Sequence, residues 1–200
     1  MAPEAAPDQR MLWIDPSKHS VRTIFTPQLR LSAVDPQLPS VQQGLRITKR
    51  VFTSLRSTAE AQGAQLLVVL IPTKERAYCR YLADSGERLP DALVRLCGAE
   101  EQVKEDLVRS LATQDIAHVD LTGAIEKQIY EHVQIYQTDS DGHPQATGHR
   151  VIAQAVYDAV RRQLNLARSG IPAVTDAGYS ARVEQLPGRR LDRNSIGTDR

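Results

Sequence analysis

The sequence predicts an α/β domain with parallel strands, and three observations carry that expectation. The run LLVVLI at 66–71 is apolar without a break, which suits a parallel strand covered on both faces. A helical pattern precedes it, with Val41, Leu45, Thr48, Phe52, Leu55 and Ala59 recurring on one face. A second strand-like run, IAHVDL at 116–121, follows further helical stretches, and alternation of helix and strand points to a parallel sheet.

In chain order, residues 1–10 read as a loose leader. MLWI at 11–14 and VRTIF at 21–25 read as short extended pieces flanking the turn DPSKHS. DPQLP at 35–39 is a break. A helix then starts with Ser40 as N-cap and Gln43 three residues on, as in a capping box, and Gly63 ends it. Pro72 closes the strand at 66–71, and TKERAYCRYL begins a short helix. After GERLP at 86–90 two helical pieces are expected, 91–97 and 99–113, with Gly98 between them. GAIEKQIYEHV reads as the helix after the second strand. The last helix carries Val151, Ile152, Ala155, Val156, Ala159, Val160 and Leu164 on a wide apolar face suited to packing on a sheet.

From Arg168 the period dissolves, so 168–200 is expected to be a disordered tail. The chain thus divides into an irregular N-terminal segment with short strands (1–37), the α/β domain (38–167) and the tail. Doubly wound sheets usually hold about five or six strands. Only two are firm here, so the domain reads as incomplete on its N-terminal side.

Composition narrows the function. A net charge of +1 and 4% aromatics give no nucleic-acid footprint. No apolar run approaches the roughly 20 residues of a membrane span. The N-terminus MAPEAAPDQR lacks the charged start and apolar core of a signal peptide, so the chain as written is expected in the cytoplasm. Cys79 and Cys97 match no metal spacing and no CxxC motif. They are expected as reduced, half-buried thiols, a disulfide requiring an exporting segment that the sequence does not show. No cofactor is expected.

The chemistry concentrates in TDSDGHPQATGHRVIAQAV, 138–156. Pro144 suits the first position of a helix, which puts His143 at the N-cap and Asp141 in the loop before it. Asp141 can then accept a hydrogen bond from His143 Nδ1, fixing the tautomer and leaving Nε2 free as a base. The carboxylate also stabilises the imidazolium formed during proton transfer. The plain alternative is that both residues only cap the helix. A further alternative makes Asp139, Asp141, His143 and His149 metal ligands, although no familiar motif has this spacing. His149 more simply packs or caps in the helix. His118 alternates inside a strand and reads as structural, and His19 and His132 have no context.

TDSDGHPQATGHRVIAQAV resembles the final block of the SGNH (GDSL-like) hydrolase superfamily, in which an acid and a histidine share one loop before the last helix. GAQLLVVLIPTKERAY, 63–78, resembles the strand and PTKE turn of bacterial SGNH proteins, including those of the alginate O-acetyltransferase type. VQQGLRITKRVFTSL resembles the helix before that strand, so the likeness covers about 38–165. It implies an incomplete three-layer α/β/α domain, flavodoxin-like and SGNH-type. It also implies Asp141 as acid and His143 as base. Many members have the acid three residues before the histidine, where this chain has Ser140, so Asp139 stays an alternative acid. Lys74 and Glu75 match the PTKE turn, are assigned no chemistry, and read as a solvated pair.

The superfamily's nucleophile block, GDS-like, is not found, and neither is a GxND block; the only asparagines are Asn165 and Asn194. The nearest serine in kind is Ser17 in LWIDPS, but Pro16 and KHSVRTIF do not read as a helix opening. Ser140 comes from the wrong element. The resulting expectation is the C-terminal part of an SGNH-type serine esterase or acyltransferase, inactive alone. Its substrate would be a small-molecule or carbohydrate O-acyl ester, and its place the cell envelope if an N-terminal segment is missing. The competing expectation is a non-catalytic interaction module or degenerate remnant that binds a partner chain supplying the missing strands.

Overall fold

The structure, a computed structural model, describes residues 10–86 and 88–169, with side chains as far as residue 164. The leader at 1–9 and residues 170–200 of the expected tail lie outside the described residues. The chain opens with a hairpin of β1 (Met11–Ile14) and β2 (Arg22–Phe25), antiparallel and in register from Met11 opposite Phe25 to Ile14 opposite Arg22. Period-2 alternation sends Trp13, Thr23 and Phe25 inward and leaves Leu12 and Ile14 exposed. Helices α1 (Pro27–Val34) and α2 (Pro39–Ala61) follow. The parallel pair is β3 (Leu67–Leu70) and β4 (Ala117–Asp120), with α3 (Lys74–Asp84) and α4 (Asp91–Thr113) as the crossover between them. Helices α5 (Thr122–Tyr130) and α6 (Ala146–Ser169) complete the order.

The α/β class and the parallel pairing are as expected. The hairpin, however, forms its own ladder and does not join the β3–β4 sheet. Helix α1 escaped the sequence reading because its pattern is short; it is held by tertiary contact, Leu31 packing on Leu96 and Ala99 of α4. Ser40 is not the N-cap of α2. Pro39 takes the first turn, and the backbone carbonyl of Leu38 accepts the Gln42 N–H at 3.0 Å. The two helical pieces around Gly98 are one helix. A mid-helix glycine costs about 1 kcal/mol, and burial of Leu93, Leu96 and Ala99 on either side of it offsets that.

The core gathers on an aromatic group. Trp13 and Phe25 from the hairpin meet Tyr78 of α3 edge-on at ring centroids of 5.2 and 5.4 Å, and Tyr136 lies 6.2 Å from Tyr78. Leu82, Leu93, Ile125, Ile129 and Ile135 fill the space around it. A smaller cluster, Val68, Leu111 and Ile116, sits beneath Phe52 of α2. Among the described residues no helix is long and apolar enough to cross a membrane.

The expectation of two free thiols is overturned. Cys79 on α3 and Cys97 on α4 form a disulfide across 18 residues, with Cα atoms 6.0 Å apart. Side-by-side packing of the two helices brings the residues within the span that a disulfide needs. Chain made under oxidising conditions and denatured without reductant should therefore show no reactive thiol. Replacing both cysteines by alanine should lower the unfolding free energy by roughly 2–4 kcal/mol, since the closed loop restricts the unfolded chain. A thiol titration and a urea melt check the two statements.

Candidate active site

The segment between α5 and α6 folds back on itself before it presents the candidate residues. Tyr136 and Pro144 form an isolated antiparallel bridge, and the Gln145 N–H donates to the Ile135 carbonyl at 2.9 Å. This ladder keeps Pro144 out of the helix. It therefore sits neither at the first helical position nor next to an N-capping His143, as the sequence had suggested. Instead α6 starts at Ala146, and the Gln145 carbonyl accepts the His149 N–H. Gly148 is required there by close approach, because a Cβ would stand 2.6 Å from the Ile135 carbonyl oxygen and 2.7 Å from Pro144 Cβ.

Residues 139–143, at the tip, make two successive side-chain turns. Asp139 Oδ1 accepts the Asp141 N–H at 2.8 Å, and Asp141 Oδ1 accepts the His143 N–H at 3.0 Å. The same Asp141 Oδ1 lies 2.6 Å from His143 Nδ1. The expected acid and histidine are thus in direct contact, with Nδ1 turned to the carboxylate. Hydrogen bonds from the His143 backbone, and then from its ring, hold the Asp141 carboxyl below the usual carboxylate range. Among the described residues no serine is hydrogen-bonded to His143. The dyad is open to solvent, with side-chain exposures of 86% for His143 and 48% for Asp141.

Lys74 and Glu75 are not the solvated pair that the sequence suggested; both have 0% exposure. Lys74 Nζ donates to the carbonyl oxygens of Asp139 at 2.8 Å and Asp141 at 2.9 Å. Glu75 Oε1 accepts from the Thr26 N–H at 2.9 Å, and its Oε2 faces Arg30 Nε at 3.8 Å. The Arg30 guanidinium in turn lies against Gly142, where a Cβ would come within 2.5 Å of Arg30 Nη2. Burial pulls the Lys74 ammonium down to about 8, against the opposing charge of Glu75.

The other candidates lie apart from the dyad. Ser17 sits at the hairpin turn, where its N–H and that of Lys18 donate to Asp15 Oδ1. That turn is at the Arg22 end of β2, whereas Asp139 bonds Ile24 toward the other end. His132, which had no context in the sequence, lies with its Nδ1 2.9 Å from Asp15 Oδ2, and Tyr81 Oη donates to the same oxygen at 3.1 Å. Burial alone would raise the Asp15 carboxyl, but the hydrogen bonds from His132, Ser17, Lys18 and Tyr81 outweigh it and hold it low. This knot ties the hairpin to the end of α5. His118 is buried, with Nδ1 3.0 Å from the Ile116 carbonyl, which fits the structural reading. His149 is exposed on the first turn of α6. Among the described residues no group of three or more His, Cys, Asp or Glu side chains is arranged to hold a metal ion. A shallow cleft of about 350 Å³ beside α1 and α2, lined by Val34, Val41, Leu45 and Val103 among others, includes none of the candidate residues.

Compared with known protein families, residues 31–187 match the SGNH hydrolase-like domain of the acetyltransferase AlgX. No curated protein and no solved structure gives a match.

The lowered value of Lys74 sets a pH window for stability. Its folded value of about 8 lies below the ordinary 10.5. Between those values the unfolded chain binds more protons, so this group's contribution to stability rises with pH. Below pH 8 the buried charge carries its full desolvation penalty. Lys74→Met has no such group. The stability of the wild type relative to Lys74→Met, measured by urea melts, should increase from pH 8 to pH 10.5 and stay flat below that range.

Proposed function

The chain belongs to the family of the SGNH hydrolase-like domain of acetyltransferase AlgX, and on that premise we propose that it serves acyl transfer from or to an O-acyl ester, with His143 as the base and Asp141 as the acid that orients it. The observation that carries this reading is the 2.6 Å contact between His143 Nδ1 and Asp141 Oδ1. It leaves Nε2 free to take a proton from a nucleophile. In this reading a serine attacks the ester carbonyl, His143 accepts the serine proton, and the acyl group then passes from the serine to water or to a sugar hydroxyl. A small-molecule or carbohydrate O-acyl ester is the substrate class.

The serine is supplied by a block that this sequence does not contain, so the chain acts as one part of a larger catalytic unit. The β3–β4 pair is then part of a larger three-layer α/β/α sheet. The Cys79–Cys97 disulfide favours an oxidising compartment, hence the cell envelope. A second reading, a non-catalytic interaction module, is favoured by one observation. Ile47, Val51 and Leu55 form an exposed apolar stripe along α2, of the kind that marks a contact surface.

Hydrolysis of 4-nitrophenyl acetate by the chain and by His143→Ala tests the proposal. Background rates in both agree with a missing nucleophile. Turnover that falls by about 10²–10⁴ in His143→Ala supports the base and refutes the missing nucleophile. Turnover that survives the substitution contradicts the assignment of His143.

A further inference from the structure

An exposed carboxylate–imidazole pair holds itself in place only weakly, since such pairs contribute about 0–1 kcal/mol. The Asp141–His143 pair is of that kind. Its orientation must therefore come from the backbone that carries it. That backbone is tied to the hairpin by the Ile24 N–H, at 3.3 Å from the Asp139 carbonyl, and from beneath by Lys74 Nζ.

Lys74 is an unexpected residue for stability alone. It is the first residue of α3, where the helix dipole disfavours a cation. Taking its ammonium out of water is costly unless carbonyl or carboxylate oxygens replace the lost hydration. An apolar side chain at that place would avoid both penalties. What the lysine provides is two directed hydrogen bonds to Asp139 and Asp141, the acid itself among them. Glu75, next in sequence, faces the Arg30 side chain that abuts Gly142, the residue between acid and histidine.

We propose that Lys74 is a positioning residue for the dyad: its buried ammonium fixes the carbonyls of Asp139 and Asp141, and so sets where Asp141 and His143 stand, with Glu75 and Arg30 closing the same loop from the Gly142 side. Because Lys74 opens α3 shortly after β3 and α3 carries Tyr78 of the aromatic core, the loop is referenced to that core. Misplacement of a reacting group by about 1 Å can cost about 10²-fold in rate, so an anchor of this kind matters for catalysis more than for folding. The proposal rests on the acid–base reading of Asp141 and His143.

The test uses the full chain labelled with ¹⁵N and ¹³C. In the wild type, scalar couplings across hydrogen bonds should link Lys74 Nζ to the carbonyl carbons of Asp139 and Asp141. Their absence from an otherwise folded spectrum would overturn the proposal. In Lys74→Met, the His143 amide that donates to Asp141 should exchange about tenfold faster, as expected for loss of a local restraint. A merely structural lysine would lower the melting temperature and leave this exchange rate unchanged, and that result also overturns the proposal. Should Lys74→Met not fold, the wild-type couplings still decide. None of these readouts uses turnover. Failure of acyl transfer would remove the proposed function without touching the anchor, and lost couplings would remove the anchor without touching the dyad.

Discussion

A lysine with no solvent exposure must find oxygen lone pairs to replace its hydration, and Lys74 finds them on the carbonyls of Asp139 and Asp141. The arrangement around the candidate site follows from that requirement. Strand β3 has to end where it does for α3 to begin under the 139–143 loop. The loop has to turn its carbonyls inward, which sends the Asp141 and His143 side chains outward. The ladder at Tyr136 and Pro144, and the close approach of Gly148 to Ile135, hold the two ends of the loop so that its tip reaches Lys74. The exposure of the dyad is the other side of the same geometry: the ammonium that bonds the loop is inside, and the Asp141 and His143 side chains are outside.

What the sequence made legible is what is local in it. LLVVLI announces a strand by its unbroken apolar run, although within it only Val68 is buried and Ile71 is exposed, and IAHVDL announces one by following helical stretches. Asp141 and His143 are two residues apart, so their contact follows from one turn and could be foreseen. The partners that were missed are distant in the chain. Lys74 meets Asp139 and Asp141 across 65 and 67 residues, Glu75 meets Thr26 across 49, and Asp15 meets His132 across 117. No periodicity records such contacts. The sequence did carry one hint, a lysine at the very start of a helix after an apolar strand, where the dipole argues against it. The thiols were misjudged for the same reason, since their pairing depends on how α3 packs on α4 and not on the spacing of Cys79 and Cys97.

Membership of the AlgX-type SGNH family and the geometry of the loop meet at one pair of residues. The family brings acyl chemistry, and the loop brings an imidazole whose Nδ1 is already engaged. The other carboxylate–histidine contact, Asp15 with His132, shows by contrast what a structural pair looks like. It is surrounded by Ser17, Lys18 and Tyr81 donors and sits against the core, whereas Asp141 is held only through its loop.

The most direct test of this account is the tautomer of His143 in the folded chain, read from the ¹⁵N shifts of its two ring nitrogens at a pH where the ring is neutral. A proton fixed on Nδ1, with Nε2 bare, is the result that the Asp141 contact predicts. A ring protonated at Nε2, or one averaging between tautomers as a free histidine does, would contradict the claim that this loop presents an oriented base.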